Sequence, residues 1–139
     1  MAASTTLVIR TTIEELQKVE TAVDEVSGAE GWQPDIEFKI RLVLDELCTN
    51  VVNYAHSDNL DHDMTVTIES DDDEVRVRIV DDGDPFNPLE DAPEPDTDSA
   101  LVDRRVGGLG VHFVKTLVDD VRYWRDDNKN HVALSKRRN

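Results

Sequence analysis

Apolar residues along this chain fall into short blocks, and the period of the blocks changes twice. Leu7-Val8-Ile9-Arg10 is a brief β-rich block, after which Thr11 or Thr12 offers a hydroxyl to cap a helix. Glu14 and Glu15 then fall in the first turn, where carboxylates are favoured. Ile13, Leu16, Val19, Val23 and Val26 recur at spacings of three and four, one apolar stripe on a helix expected to end near Gly28 and Gly31. A second helix is predicted from Pro34-Asp35 to about Ala55, with Ile36, Ile40, Val43, Leu44, Leu47, Val51 and Tyr54 on its core face.

From Asp63 the period becomes two. Met64, Val66 and Ile68 alternate with polar residues, as do Val75, Val77 and Ile79, and the acidic Asp71-Asp72-Asp73 between them predicts a hairpin turn. An irregular stretch from 82 to about 106 holds four of the five prolines, and loops of this length inside a domain are usually functional or disordered. Gly107-Gly108-Leu109-Gly110 then opens a helix carrying Val111, Val114, Leu117 and Val118, followed by strands near 121–125 and 131–136. Strands and helices do not alternate, so a doubly wound parallel sheet is excluded. The order predicts a two-layer α+β sandwich, a mixed but mostly antiparallel sheet with helices on one face, over a single domain 1–139.

Composition narrows the function. Thirty-one acids against fifteen Lys and Arg give a formal charge of −16, which repels a phosphate backbone and disfavours direct nucleic-acid binding. No apolar run approaches the roughly 18 residues of a membrane span, and the start of the chain has neither the basic head nor the apolar stretch of a signal peptide. The single cysteine, Cys48, forms no internal disulfide and falls on an apolar helix face as a small core residue. No membrane association and a cytoplasmic location are expected.

Candidate chemistry gathers at three places. Glu46 and Asn50 are four apart on the second helix and so share a face, with Asn53 nearby. A carboxylate there can accept a proton from an attacking hydroxyl, and an amide oxygen is a hard ligand for Mg²⁺ carrying nucleotide phosphates. Asp81 closes an apolar strand just before Asp82-Gly83, where a held carboxylate can accept an exocyclic amine; the same triplet also makes an ordinary turn. Gly107, Gly108 and Gly110 leave backbone N–H groups open to an anion at a helix start.

These three elements, in this order and spacing, resemble the GHKL ATPase superfamily, which includes histidine kinases, gyrase, Hsp90 and MutL. The stretch Leu44-Asp45-Glu46-Leu47-Cys48-Thr49-Asn50-Val51-Val52-Asn53-Tyr54-Ala55-His56 is similar to its N box. Asp81-Asp82-Gly83 is similar to its G1 box, and Gly107-Gly108-Leu109-Gly110 to its G2 box. The likeness spans about 5 to 137. The small size, the run from Gly83 through Pro85-Phe86-Asn87-Pro88 and the sequence after Gly107 are most similar to the stand-alone anti-sigma factor serine/threonine kinases of bacteria.

The resemblance implies a Bergerat-type fold, binding of ATP with Mg²⁺, and a role for each matching residue. Asn50 would coordinate the metal, Glu46 would be the general base and Asp81 would bind the adenine amine, with Gly83 giving room. Asn53 falls within the same box, and Gly107, Gly108, Leu109 and Gly110 would hold phosphates. The stretch 85–106 would be the ATP lid, and its only cations, Arg104 and Arg105, would meet the γ-phosphate or a partner. Implied partners are an anti-anti-sigma protein of the STAS type, a sigma factor and, as a homodimer, a second copy.

Two positions depart from the pattern: Pro85 stands where many relatives have glycine, and Asn130-His131 where many have a Gly-Thr pair, which bears on the adenine contacts. A nucleotide-gated regulatory module without phosphoryl transfer is the alternative reading. A split histidine kinase would need a helical dimerisation segment with an acceptor His, and the chain has none. His56, Asp58, Asp61, His62 and Asp63 match no standard metal spacing and are expected to be a solvated loop, and Trp32 and Trp124 to be core-edge aromatics.

Overall fold

The computed structural model describes residues 2–55, 62–90 and 111–139, the side chains of 111–113 excepted. The chain runs as β1 (Ala3–Arg10), a 3₁₀ turn (Ile13–Glu15), α1 (Leu16–Glu30), α2 (Pro34–Tyr54), β2 (Asp63–Ser70), β3 (Glu74–Asp81), α3 (Val111–Leu117), β4 (Asp120–Asp126) and β5 (Lys129–Arg137). The five strands form one sheet in the order β1-β2-β3-β5-β4, and all four pairings are antiparallel. This is the expected α+β architecture.

Alternate strand residues face a single core with the helices. Ile9, Val66, Ile68, Val75, Ile79, Val132 and Leu134 join Val23, Ile40, Leu44, Leu47 and Val51 in one buried cluster. Each fully buried aliphatic side chain there contributes roughly 1.5–3 kcal/mol. Cys48 is part of this cluster, as its place in the apolar stripe implied. No helix among the described residues is long and apolar enough to cross a membrane.

The first helix begins differently from the expectation. Thr12 takes the cap position of the 3₁₀ turn with extended backbone but makes no side-chain cap bond. The Thr11 hydroxyl is instead drawn to the His62 carbonyl at 3.2 Å. Ile13, in the 3₁₀ turn, is 52% exposed and leaves the stripe, which starts at the partly buried Leu16. At the far end Gly28 lies inside α1, and Gly31 ends it with φ 64°, a left-handed conformation that glycine adopts without a Cβ penalty. The Gly31 and Trp32 N–H groups both return to the Ser27 carbonyl, and Trp32 enters the core, its Nε1 donating to Ser70 Oγ at 2.9 Å.

The second helix matches its predicted bounds because Pro34 supplies a first-turn φ while forcing Gln33 into the extended region. Tyr54 is a correction: the period put it on the core face, yet it is 46% exposed, its ring tilted against Phe86 at 5.9 Å. A phenol at a helix end covers apolar surface with its ring while its hydroxyl stays wet. Two turns set strand register. Asp71 Oδ1 accepts the N–H groups of Asp73 and Glu74 between β2 and β3, and Asp127 and Asn128, with φ 56° and 60°, make the two-residue connection from β4 to β5.

One topological feature positions the site. The chain leaves β3, passes through α3 and β4, and returns as β5 beside β3, so that Asp81 at the end of β3 lies opposite Asn130 at the start of β5.

Candidate functional site

Most buried side chains in the core are apolar, so the buried polar ones carry the information. Among the described residues these include Glu46, Thr49 and Asn50 on α2, Asp81 at the end of β3 and Asn130 on β5. The helix period explains the first group. Glu46 and Asn50 flank the apolar positions Val43, Leu47 and Val51, and so turn inward with them. The strand period explains the others: Asp81 continues the inward series Val75, Val77, Ile79, and Asn130 begins the inward series Val132, Leu134.

Glu46 and Asn50 are 4% and 5% exposed, and Asn50 Nδ2 donates to Glu46 Oε1 at 3.4 Å. The bond assigns the amide nitrogen to the carboxylate and leaves the amide oxygen as an acceptor or ligand. Asn53 is exposed and has no hydrogen bond to this pair among the described residues.

Asp81 Oδ1 accepts the Gly83 N–H at 2.9 Å, which is the ordinary turn the sequence allowed, and also Asn130 Nδ2 at 3.0 Å. The next residues tie this corner to the long helix. The Asp84 N–H donates to the carbonyl of Ala55, the cap of α2, at 2.7 Å, and Phe86 meets Tyr54. The corner is also held from outside, where His62 Nδ1 lies 3.1 Å from Asp82 Oδ1.

Arg104, Arg105, Gly107, Gly108, Leu109 and Gly110, and the stretch from 91 to 106, lie outside the described residues. So do His56, Asp58 and Asp61 of the acidic loop. Among the described residues no cluster of three or more His, Cys, Asp and Glu is placed to hold a metal ion. Mg²⁺ can be held by a single protein oxygen together with oxygens from phosphates and water. The buried Asn50 amide is such an oxygen.

Charge placement around α2 separates structural from chemical groups. Burial pushes the Cys48 thiol up to about 12, with Asp45 adding to it, so the thiolate is absent at neutral pH and Cys48 is no nucleophile. Burial, and then the nearby Glu20, raise the carboxyl of Asp45. Trp124 stacks on His131 at 5.0 Å with Arg78 over its ring at 5.8 Å, a contact that the reading of Trp124 as a simple edge aromatic missed.

The residue that sequence reasoning most undervalued is Asn130, which stood only as a departure from a Gly-Thr pattern. Its signal was legible: it shares the inward period of Val132 and Leu134, where an amide is tolerated only with its hydrogen bonds made. Tyr123 and Arg125, which meet it, carried no such signal.

An antiparallel sheet beneath helices, with a buried carboxylate–amide pair on the longest helix and a buried aspartate at a strand end, defines an α+β sandwich whose buried polar groups gather between α2 and the β3–β5 edge. The family model for the histidine kinase-like ATPase domain matches residues 9–136, and the chain belongs to that family. It is 25% identical over 113 residues to the serine/threonine-protein kinase BtrW of Bordetella bronchiseptica, covering 81% of this chain and 79% of that protein. It is 29% identical over 118 residues to the serine-protein kinase RsbW of Bacillus subtilis, covering 80% of this chain and 71% of that one. The solved structure of the RsbU and RsbW domains of Rv1364c from Mycobacterium tuberculosis matches with a TM-score of 0.67 at 14% identity. That match covers 97% of this chain and 32% of the other, a likeness of fold.

Proposed function

We propose that the chain is an ATP-dependent serine/threonine protein kinase that phosphorylates a small anti-anti-sigma protein of the STAS type and otherwise sequesters a sigma factor. It works as a cytoplasmic homodimer. The observation that carries this reading is the buried Glu46–Asn50 pair on α2, in a chain whose relatives bear the name of serine kinases.

In this reading 1–139 is one domain with the lid at 85–106. Asp81 accepts the adenine amine beside Gly83. Asn53, Gly107, Gly108, Leu109 and Gly110 line the nucleotide, and one or both of Arg104 and Arg105 meet the γ-phosphate or a partner. Asn50 holds Mg²⁺ through its amide oxygen; the ion, when bound, neutralises charge on the phosphate oxygens. Glu46 takes the proton of the attacking hydroxyl while the hydroxyl oxygen bonds to the γ-phosphorus and the bond to the ADP oxygen breaks. Phosphoryl transfer needs positioning and charge neutralisation more than covalent help, so no enzyme-bound phosphoryl intermediate is required. With a formal charge of −16 on the chain, a polyanionic nucleotide is admitted only with its cation.

The test is incubation with γ-labelled ATP and the cognate STAS protein. Label on a serine or threonine of the partner, lost in Glu46→Ala while nucleotide binding persists, is the expected result. Nucleotide binding with no label on the partner overturns transfer and leaves a nucleotide-gated module.

A further inference from the structure

A buried primary amide carries two donors and an acceptor oxygen, and all must find partners away from water. Asn130 is 1% exposed and finds them in five residues. Its Nδ2 donates to Asp81 Oδ1 at 3.0 Å and to the Asp84 carbonyl at 2.8 Å. Its Oδ1 accepts the Phe86 N–H at 3.2 Å, the Tyr123 hydroxyl at 2.6 Å and Arg125 Nη1 at 3.1 Å. The same Arg125 nitrogen reaches the Gly83 carbonyl at 3.1 Å. The orientation of the amide is dictated by chemistry: flipped, its NH₂ would face a backbone N–H and a guanidinium, and its oxygen a carbonyl and a carboxylate.

Two consequences follow for Asp81. Both hydrogen bonds that its carboxylate accepts among the described residues, from Gly83 and Asn130, fall on Oδ1, so the plane of the carboxylate is fixed and Oδ2 is the oxygen left to meet a ligand. The amide that fixes it also grips the turn from Asp84 to Phe86, so the turn and the carboxylate are held in one frame.

We propose that Asn130 is a positioning residue for purine recognition: it aims Asp81 Oδ2 so that a 6-aminopurine is accepted and a 6-oxopurine refused. The proposal rests on the nucleotide reading above. An ionised carboxylate only accepts hydrogen bonds, so a 6-amino group satisfies it, whereas a 6-oxo group sets lone pair against lone pair. Refusal is sharp only when the carboxylate cannot swing away, and that is what the Asn130 bond prevents.

The experiment titrates ATP and inosine triphosphate, which differ at purine position 6, into the wild type, Asn130→Thr, Asn130→Ala and Tyr123→Phe, with circular dichroism to confirm folding. The wild type is expected to prefer ATP by about tenfold or more, since a site built around a hydrogen bond rejects the analogue that cannot make it. In Asn130→Ala the ATP affinity falls and the inosine triphosphate affinity stays, so the ratio collapses; Asn130→Thr, whose hydroxyl can still donate to Asp81, recovers part of it. A purely structural role would weaken both nucleotides alike. Tyr123→Phe removes one donor to Asn130 and empties no space, so it decides the matter if the Asn130 variants do not fold; its ratio falls severalfold. Uptake of neither nucleotide by the folded wild type overturns the nucleotide reading and this assignment with it. A wild type that prefers ATP, with the preference intact in every folded variant, overturns this assignment alone.

Discussion

Glu46 and Asn50 stand one turn apart on α2, both buried, with the amide of one donating to the carboxylate of the other at 3.4 Å. Their proposed roles separate by substitution. Glu46→Gln keeps the shape and an oxygen for Asn50 but removes the base, so transfer should fall by about 10²–10⁴-fold, with nucleotide affinity nearly unchanged. Asn50→Ala removes the metal ligand, so the magnesium-dependent part of nucleotide binding should disappear together with transfer. Calorimetry with and without Mg²⁺, beside a label-transfer assay, reads both. Equal loss of binding and transfer in Glu46→Gln would refute the division of labour.

A second buried polar pair is purely structural. Trp32 Nε1 donates to Ser70 Oγ at 2.9 Å, joining the segment after α1 to the last residue of β2 inside the core. Ser70→Ala strands a buried indole N–H and should cost about 1–3 kcal/mol. The double variant Trp32→Phe with Ser70→Ala should cost less in total than the sum of the two single changes, because removing both partners leaves nothing unsatisfied. Urea denaturation of the four proteins, followed by circular dichroism, measures the coupling; strict additivity would show that the bond contributes nothing.

How much of this was legible follows from which forces act locally. The bounds of α2 could be read because Pro34 and seven apolar positions speak through the nearest turn, and the β2–β3 hairpin because Asp71-Asp72-Asp73 interrupts a clean period of two. The position of β5 between β3 and β4 could not, since strand order is set by long-range pairing that leaves no mark on spacing. The same limit hid the partners of Asn130: Asp81 lies 49 residues away in sequence and Phe86 44. The helix start could not be read because Thr12 holds the cap position without a side-chain bond, while the Thr11 N–H and hydroxyl both donate to a distant carbonyl, that of His62.

Asp45 sits in the groove between α1 and α2 with Leu16, Val19, Val23, Leu44 and Cys48, and with Glu20 and Arg41 as the other charged groups lining it. Burial first and Glu20 second raise its carboxyl. A carboxyl raised by folding favours the native state while protonated, and that advantage is lost as pH rises through the folded value. Asp45→Asn should therefore raise the melting temperature at neutral pH, and the gain should vanish below the ordinary aspartate range. Thermal scans of both proteins across pH decide this; a variant no more stable than wild type at pH 7 contradicts it.

Asp71 has the opposite sign. The N–H groups of Glu74 and then Asp73, followed by the Arg76 guanidinium, lower its carboxyl from 3.8 to about 2. A depressed carboxyl stabilises the fold above its unfolded value, and the contribution is lost as pH falls through the folded one. The turn between β2 and β3 should therefore weaken between about pH 4 and pH 2. Many acids titrate in that window, so the comparison that isolates Asp71 is with Asp71→Asn, which keeps an oxygen for both N–H groups and loses only the charge. The variant should melt below the wild type at neutral pH, and the two should converge near pH 2. A gap that stays constant with pH would mean that the turn is held by its hydrogen bonds alone, with no contribution from the ionised carboxylate.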